Sequence, residues 1–252
     1  MHHPMKTLKA QLEQLKLHAF SEGLEAALNH YPKDREAILE VLAKLAHAET
    51  ARRRERSVHY RIEQAKFGQI QTVDTFDFTY NASTLKLKNR YLKLLETDIT
   101  EQGLSVLFVG TSGLGKTHLA RALGWSLCQL SRRVRFTTLS AMILDLLTAE
   151  QTGTLKKAMT EYTHPALLII DEIGYVVLRE AESNMVFQIL SQRYEARRST
   201  AVTTNKPFGE WNQTFHNDAM AHALIDRLAE RSEVFYLEGP SYRETHRQRL
   251  KS

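Results

Sequence analysis

The chain has 252 residues, 42% hydrophobic and 25% charged, with a net charge of +5. These proportions exclude collagen, coiled-coil rods and a wholly disordered chain, and leave room for one large domain with a small appendage. The apolar run Ala166–Ile170 is far short of the roughly 20 residues of a membrane helix, the first residues lack the apolar core of a signal peptide, and the one cysteine, Cys128, rules out an internal disulfide or a multi-cysteine zinc site, so a cytoplasmic compartment is expected.

Residues 1–66 carry apolar positions at helical spacing: Leu8, Leu12, Leu15, Phe20, Leu24 and Leu28 in one stretch. A break follows at Tyr31-Pro32. Ile38, Leu39, Leu42 and Leu45 then mark a second helix, and a third is expected from Arg52 to Lys66. The expectation is a small helical domain of two or three helices that engages a partner or DNA. Residues 67–83, with Phe67, Phe76, Phe78 and Tyr80, read as a connector whose aromatic residues pin it to the domain of residues 84–252. Leu85–Leu95 is again helical in period. From Leu104 onward, short apolar runs alternate with amphipathic stretches. Strands are predicted at Ser105–Val109, Val134–Leu139, Leu167–Ile170, Thr200–Thr204 and Val234–Leu237, with helical patterns at His118–Leu130 and Ser183–Arg198. Such alternation predicts βα units and an α/β fold with a mostly parallel sheet covered on both faces.

Basic residues bunch at Arg52, Arg53, Arg54, Arg56 and Arg61, at Lys86, Lys88, Arg90 and Lys93, and at Arg243, Arg247, Arg249 and Lys251. Clusters of this kind suit an anionic polymer; for any single cluster, a solvated helix face is an equal alternative.

The first strand runs into Gly110-Thr111-Ser112-Gly113-Leu114-Gly115-Lys116-Thr117, a match to G-x-x-x-x-G-K-[ST], followed by His118 at the head of a helix. Glycines let a backbone wrap phosphates without a Cβ in the way, and the following helix presents its positive end. Lys116 would reach the β and γ phosphates, and the Thr117 hydroxyl would ligate Mg²⁺. The third strand ends in Asp171-Glu172. Asp171 would complete the Mg²⁺ shell, and Glu172 would orient or deprotonate an attacking water. Asn205, at the end of the next strand, would bond the γ-phosphate or that water; a turn at Asn205-Lys206-Pro207 is the alternative. Arg227 and Arg243 are two guanidinium groups that could neutralise transferring phosphoryl charge, with a surface salt bridge as the alternative for each.

These elements in this order resemble the AAA+ ATPases, within the initiator and helicase-loader group that includes DnaA and DnaC. The resemblance is closer to the IstB-type transposition helper ATPases. It is carried by Phe76-Asp77-Phe78, Val134-Arg135-Phe136-Thr137-Thr138, the run from Leu168 to Tyr175, Gln192-Arg193-Tyr194-Glu195, the run from Asn205 to Trp211, Asp226-Arg227-Leu228 and Ser241-Tyr242-Arg243. It implies an AAA+ P-loop NTPase core with a five-stranded parallel sheet, order 5-1-4-3-2, flanked by helices. About fifteen residues follow the last strand, too few for a separate C-terminal lid domain. The resemblance further implies that Asn205 is sensor 1, Arg243 is sensor 2 and Arg227 is an arginine finger reaching a neighbouring subunit's ATP. It implies an ATP- and Mg²⁺-dependent homo-oligomer on duplex DNA that helps a partner transposase.

No base-reading motif is visible, so DNA binding is expected to be largely independent of sequence, with Arg52, Arg53, Arg54 and Arg56 as contacts. A replicative helicase loader of the DnaC type would use the same core and remains the alternative. A DNA-binding switch without turnover has no use for Glu172. A metabolic kinase would leave the basic clusters without a purpose.

Overall fold

The computed structural model describes residues 4–30 and 33–242. They form two compact units, residues 1–60 and 61–252. The division falls inside a helix, six residues before the end of the helical segment expected from the sequence.

The first unit holds α1 (Pro4–Gln14), α2 (His18–Asn29) and most of α3 (Arg35–Ala65). Leu8, Leu12, Leu15, Leu24 and Leu28 are buried together, with Ile38, Leu39 and Leu42 packed against them. Two expectations need correction. The first apolar stretch is two helices, because Lys16 turns into the left-handed region at φ 59°. The second and third expected helices are one. No glycine or proline interrupts Arg35–Ala65, and the helix stops where Lys66 takes φ 58°. Phe20 and Leu45, counted in the apolar stripes, are exposed. The expected break at Tyr31-Pro32 lies outside the described residues.

The second unit is built on five parallel strands: β1 (Ser105–Gly110), β2 (Val134–Thr138), β3 (Leu167–Ile173), β4 (Ser199–Thr204) and β5 (Ser232–Leu237). Their order, β2-β3-β4-β1-β5, is the expected one read from the other edge. Val106 pairs with Ala201 on one side and Glu233 on the other, while Ile169 also pairs with Ala201. Leu139, expected to end the second strand, instead opens a helix.

Alternating strand side chains feed two cores. Val106, Phe108, Ile169, Ala201 and Phe235 face α4 (Ala82–Leu95) and α6 (Lys116–Gln129). Leu107, Leu168, Ile170 and Val202 face α7 (Leu139–Gln151), α8 (Leu155–Thr163), α9 (Glu180–Glu195) and α10 (Asp218–Glu230). A short α5 (Ile99–Gln102) precedes β1. Each fully buried Leu, Ile or Phe contributes about 1.5–3 kcal/mol, so this two-faced burial fixes the sheet. Phe67 and Phe78 join the first of these cores, and Phe76 packs against it. No helix among the described residues is long and apolar enough to cross a membrane.

Candidate functional site

Strand order brings the ends of β1, β4 and β3 side by side, with the glycine turn between β1 and α6 beside them. Gly113 and Gly115 take φ 82° and 89°. A Cβ at Gly113 would lie 2.1 Å from Ser241 Oγ, and one at Gly115 would lie 2.4 Å from Phe76 Cε2. Both positions therefore need glycine for conformation and for space. Lys116 is buried, and its Nζ donates to the Thr111 carbonyl at 2.7 Å.

Asp171 is 3% exposed and receives two hydroxyl donors on one oxygen: Thr117 Oγ1 at 2.9 Å and Thr203 Oγ1 at 2.5 Å. Thr203 Oγ1 in turn accepts the Glu172 amide at 3.0 Å. The register between β3 and β4 shifts between Ile170 and Ile173, and within this bulge Glu172 takes φ 64°. A non-glycine residue in that region costs about 1–2 kcal/mol. The bulge keeps Asp171 buried and leaves Glu172 exposed on the wall of a cavity of about 370 Å³. Asn205 shares that wall, and its Oδ1 is buried with no hydrogen-bond partner.

The donor set fits a hard divalent cation. Among the described residues no three His, Cys, Asp or Glu side chains cluster to hold a metal. One carboxylate and one hydroxyl, completed by water and phosphate oxygens, is the arrangement magnesium favours. The orphaned Asn205 oxygen fits a donor arriving with the ligand.

The rest of the wall was not anticipated from the sequence. The segment before α4 contributes Gln71, Phe76 and Tyr80, and the segment after β5 contributes Tyr242. His118 contacts the Thr72 carbonyl through Nε2 at 2.8 Å and meets the Phe76 ring edge-on at 5.2 Å. The Tyr242 amide donates to the Gly113 carbonyl at 3.0 Å, and Tyr80 packs edge-on against Tyr242 at 4.8 Å. Arg121, one turn after Thr117, also lines the cavity. It donates to Gln71 Oε1 at 3.1 Å and stacks over Phe136. Burial lowers its guanidinium from the ordinary arginine value, and the charges of Asp171 and Glu172 oppose that shift. The sequence reading missed Arg121 and Thr203; the signals that could have found them are the (i, i+4) spacing of Arg121 from Thr117 and the place of Thr203 in β4, two residues before Asn205.

The structure thus brings together Ser112, Gly113, Leu114, Gly115, Lys116, Thr117, His118, Glu172 and Asn205 on one cavity, with Gly110, Thr111 and Asp171 directly behind. It does not bring Arg227 there. That side chain donates to Ser191 Oγ at 2.5 Å, stacks over Phe187 at 4.8 Å, and lines a different depression with Arg197 and Arg231. Arg52, Arg53, Arg54 and Arg56 are exposed on α3 in the first unit; Arg53 is engaged with Glu49 and the Leu15 carbonyl. Arg243 lies outside the described residues.

Known proteins point the same way. The model of the IstB-like ATP binding protein family matches residues 10–250. The ATP-binding protein of insertion sequence IS21 from Pseudomonas aeruginosa is 32% identical over 239 residues, covering 95% of this chain and 89% of its own. That of insertion sequence IS5376 from Geobacillus stearothermophilus is 35% identical over 204 residues, covering 81% and 80%. Among solved structures, the DnaC helicase loader superposes with a TM-score of 0.62 at 21% identity, over 69% of this chain and 100% of the other. AMPPCP-bound DnaA from Aquifex aeolicus gives 0.57 at 17%, over 71% and 54%. These structural likenesses show a fold shared with DnaC and DnaA. The chain belongs to the IstB-like ATP-binding protein family and is an ATPase of it.

Proposed function

We propose that this ATPase assembles on duplex DNA in an ATP-dependent manner and assists a partner transposase. The observation that carries the reading is the Thr117–Asp171–Thr203 network beside Lys116 and the exposed Glu172. It supports a site built for hydrolysis and not for binding alone.

In this reading the backbone amides of the glycine turn receive the phosphates. Lys116 exchanges the Thr111 carbonyl for the β and γ oxygens. Thr117 and Asp171 hold magnesium, which supplies charge neutralisation on the phosphates when bound. Glu172 takes the proton of the attacking water, and Asn205 Oδ1 accepts that water's other hydrogen. Because Arg227 lies away from its own chain's cavity, it serves a neighbour's, leaving Ser191 to do so. Such a finger supplied in trans contributes roughly 10³–10⁵ in rate. The sensor 2 role is assigned to Arg243 on the family resemblance alone. The helical segment of residues 1–66, which bears Arg52, Arg54 and Arg56, engages the partner or DNA. The insertion-sequence relatives favour transposition over helicase loading.

Steady-state ATP turnover per subunit, measured across protein concentration with and without duplex DNA, tests this. The rate per subunit should climb with concentration and climb further with DNA. A rate that is flat in both would refute it.

A further inference from the structure

Helix α4 reads Ala-Ser-Thr-Leu-Lys-Leu-Lys-Asn-Arg-Tyr-Leu-Lys-Leu-Leu: four basic residues and no acid. A solvated helix face ordinarily mixes signs, as α3 does with Lys44–Glu40 and Arg53–Glu49 one turn apart. On α4, Lys86 and Arg90 sit one turn apart with like charge, and Glu233 pairs with Arg90.

The structure sorts the four. Arg90 is committed to the sheet: its Nε donates to Glu233 at 2.6 Å, its Nη2 to the Val234 carbonyl at 2.8 Å, and its guanidinium lies over Phe235. Lys88 is half-buried. Lys86 and Lys93 are exposed, as is Asn89 between them. At 100° per residue these three fall on one narrow stripe, with the Cα atoms of the two lysines about 10.5 Å apart along the axis. That spacing reaches separate phosphates of a nucleic-acid backbone, and Asn89 adds a neutral donor between them.

The opposite face of α4 is rigidly mounted. Leu87, Tyr91 and Leu94 are buried, and the Tyr91 hydroxyl donates to the Leu119 carbonyl of α6 at 2.7 Å. Ser83 accepts the Glu238 amide at 3.1 Å, just before the segment that touches the glycine turn. A phosphate held on α4 and a nucleotide held on α6 thus share one frame.

We infer that Lys86, Asn89 and Lys93 form a phosphate-contacting track for duplex DNA on the ATPase unit, separate from the arginines of α3. The inference rests on the DNA-binding reading above. The test is fluorescence anisotropy of labelled duplex DNA against salt, with a non-hydrolysable ATP analogue, for the full chain and its Lys86→Gln/Lys93→Gln and Lys86→Arg/Lys93→Arg variants. Each phosphate contact contributes about 0.9 to the log–log salt slope. The glutamine pair should flatten the slope by about 1.8 and weaken binding roughly 60-fold at 0.1 M salt. The arginine pair should keep both, and nucleotide binding by calorimetry should be unchanged in each. If wild type binds DNA and the glutamine pair keeps its slope, the track is refuted while the DNA-binding reading stands. The track is refuted equally if the glutamine pair keeps its slope on DNA and loses capture of an acidic protein instead. If wild type binds no DNA at all, the underlying reading fails and the track with it.

Discussion

At the level of single residues, Gly115 and Glu172 carry the sharpest consequences. Gly115 combines φ 89° with a Phe76 ring that a Cβ would strike at 2.4 Å. Gly115→Ala should therefore lose nucleotide affinity at least tenfold and lower stability by about 1–3 kcal/mol, read by calorimetry and thermal unfolding. Unchanged affinity would mean the ring is not a wall of the site. Glu172→Gln keeps the strained backbone and its amide bond to Thr203 but removes the basic oxygen. It should bind ATP normally and lose turnover by about 10²–10⁴-fold in single-turnover assays. Gly113, Gly115, Lys116, Thr117, Asp171 and Asn205 were legible in the sequence because phosphate and metal chemistry restrict which residue types serve at fixed spacing. Phe76, Tyr80 and Tyr242 were not legible as site residues. An aromatic ring on a connector looks the same whether it fills a core or roofs a cavity, and only the long-range return of the chain after β5 places Tyr242 on Gly113.

At the level of elements, the strands were legible in place and imprecise in extent. β3 runs on to Ile173 because a bulge lets Asp171 and Glu172 remain in the strand, and a bulge leaves no periodic mark in the sequence. The division of the first helical stretch was invisible for a related reason. Lys16 turns left-handed without a glycine or proline to announce it. Arg193 shows the reverse, a residue whose sequence context was noted and whose task only the fold discloses. It is 1% exposed and donates to the carbonyls of Tyr162 at 2.9 Å and Pro165 at 2.9 Å, to Thr200 Oγ1 at 3.1 Å, and to the Ser199 carbonyl. It thereby ties the end of α8 to the starts of β3 and β4. Burial pushes its guanidinium down to about 9, and neighbouring Arg198 adds to that shift. Arg193→Leu would strand several buried carbonyls and should destabilise by about 3–5 kcal/mol in denaturant unfolding. Arg193→Lys should recover only part, because an ammonium cannot reproduce the planar fork. A cost under 1 kcal/mol for Arg193→Leu would contradict this role.

At the level of the whole molecule, the function we propose divides labour between copies of the chain. One chain supplies Lys116, Thr117, Glu172 and Asn205 to a single cavity with Asp171 bonded to Thr117 behind it, yet keeps Arg227 on α10, held by Ser191 and Phe187. The sequence marked Arg227 through its resemblance to a family, and the fold shows it outside its own site. In that proposal hydrolysis requires two copies, one offering the phosphates and the other the guanidinium. Mixing Arg227→Ala with Lys116→Ala tests this most directly, since each is inactive alone for a different reason. ATP turnover should reappear in the mixture, reaching a sizeable fraction of wild type as hybrid interfaces pair an intact Lys116 with an intact Arg227. Turnover that stays at the level of the separate variants at every mixing ratio would contradict a site shared between subunits.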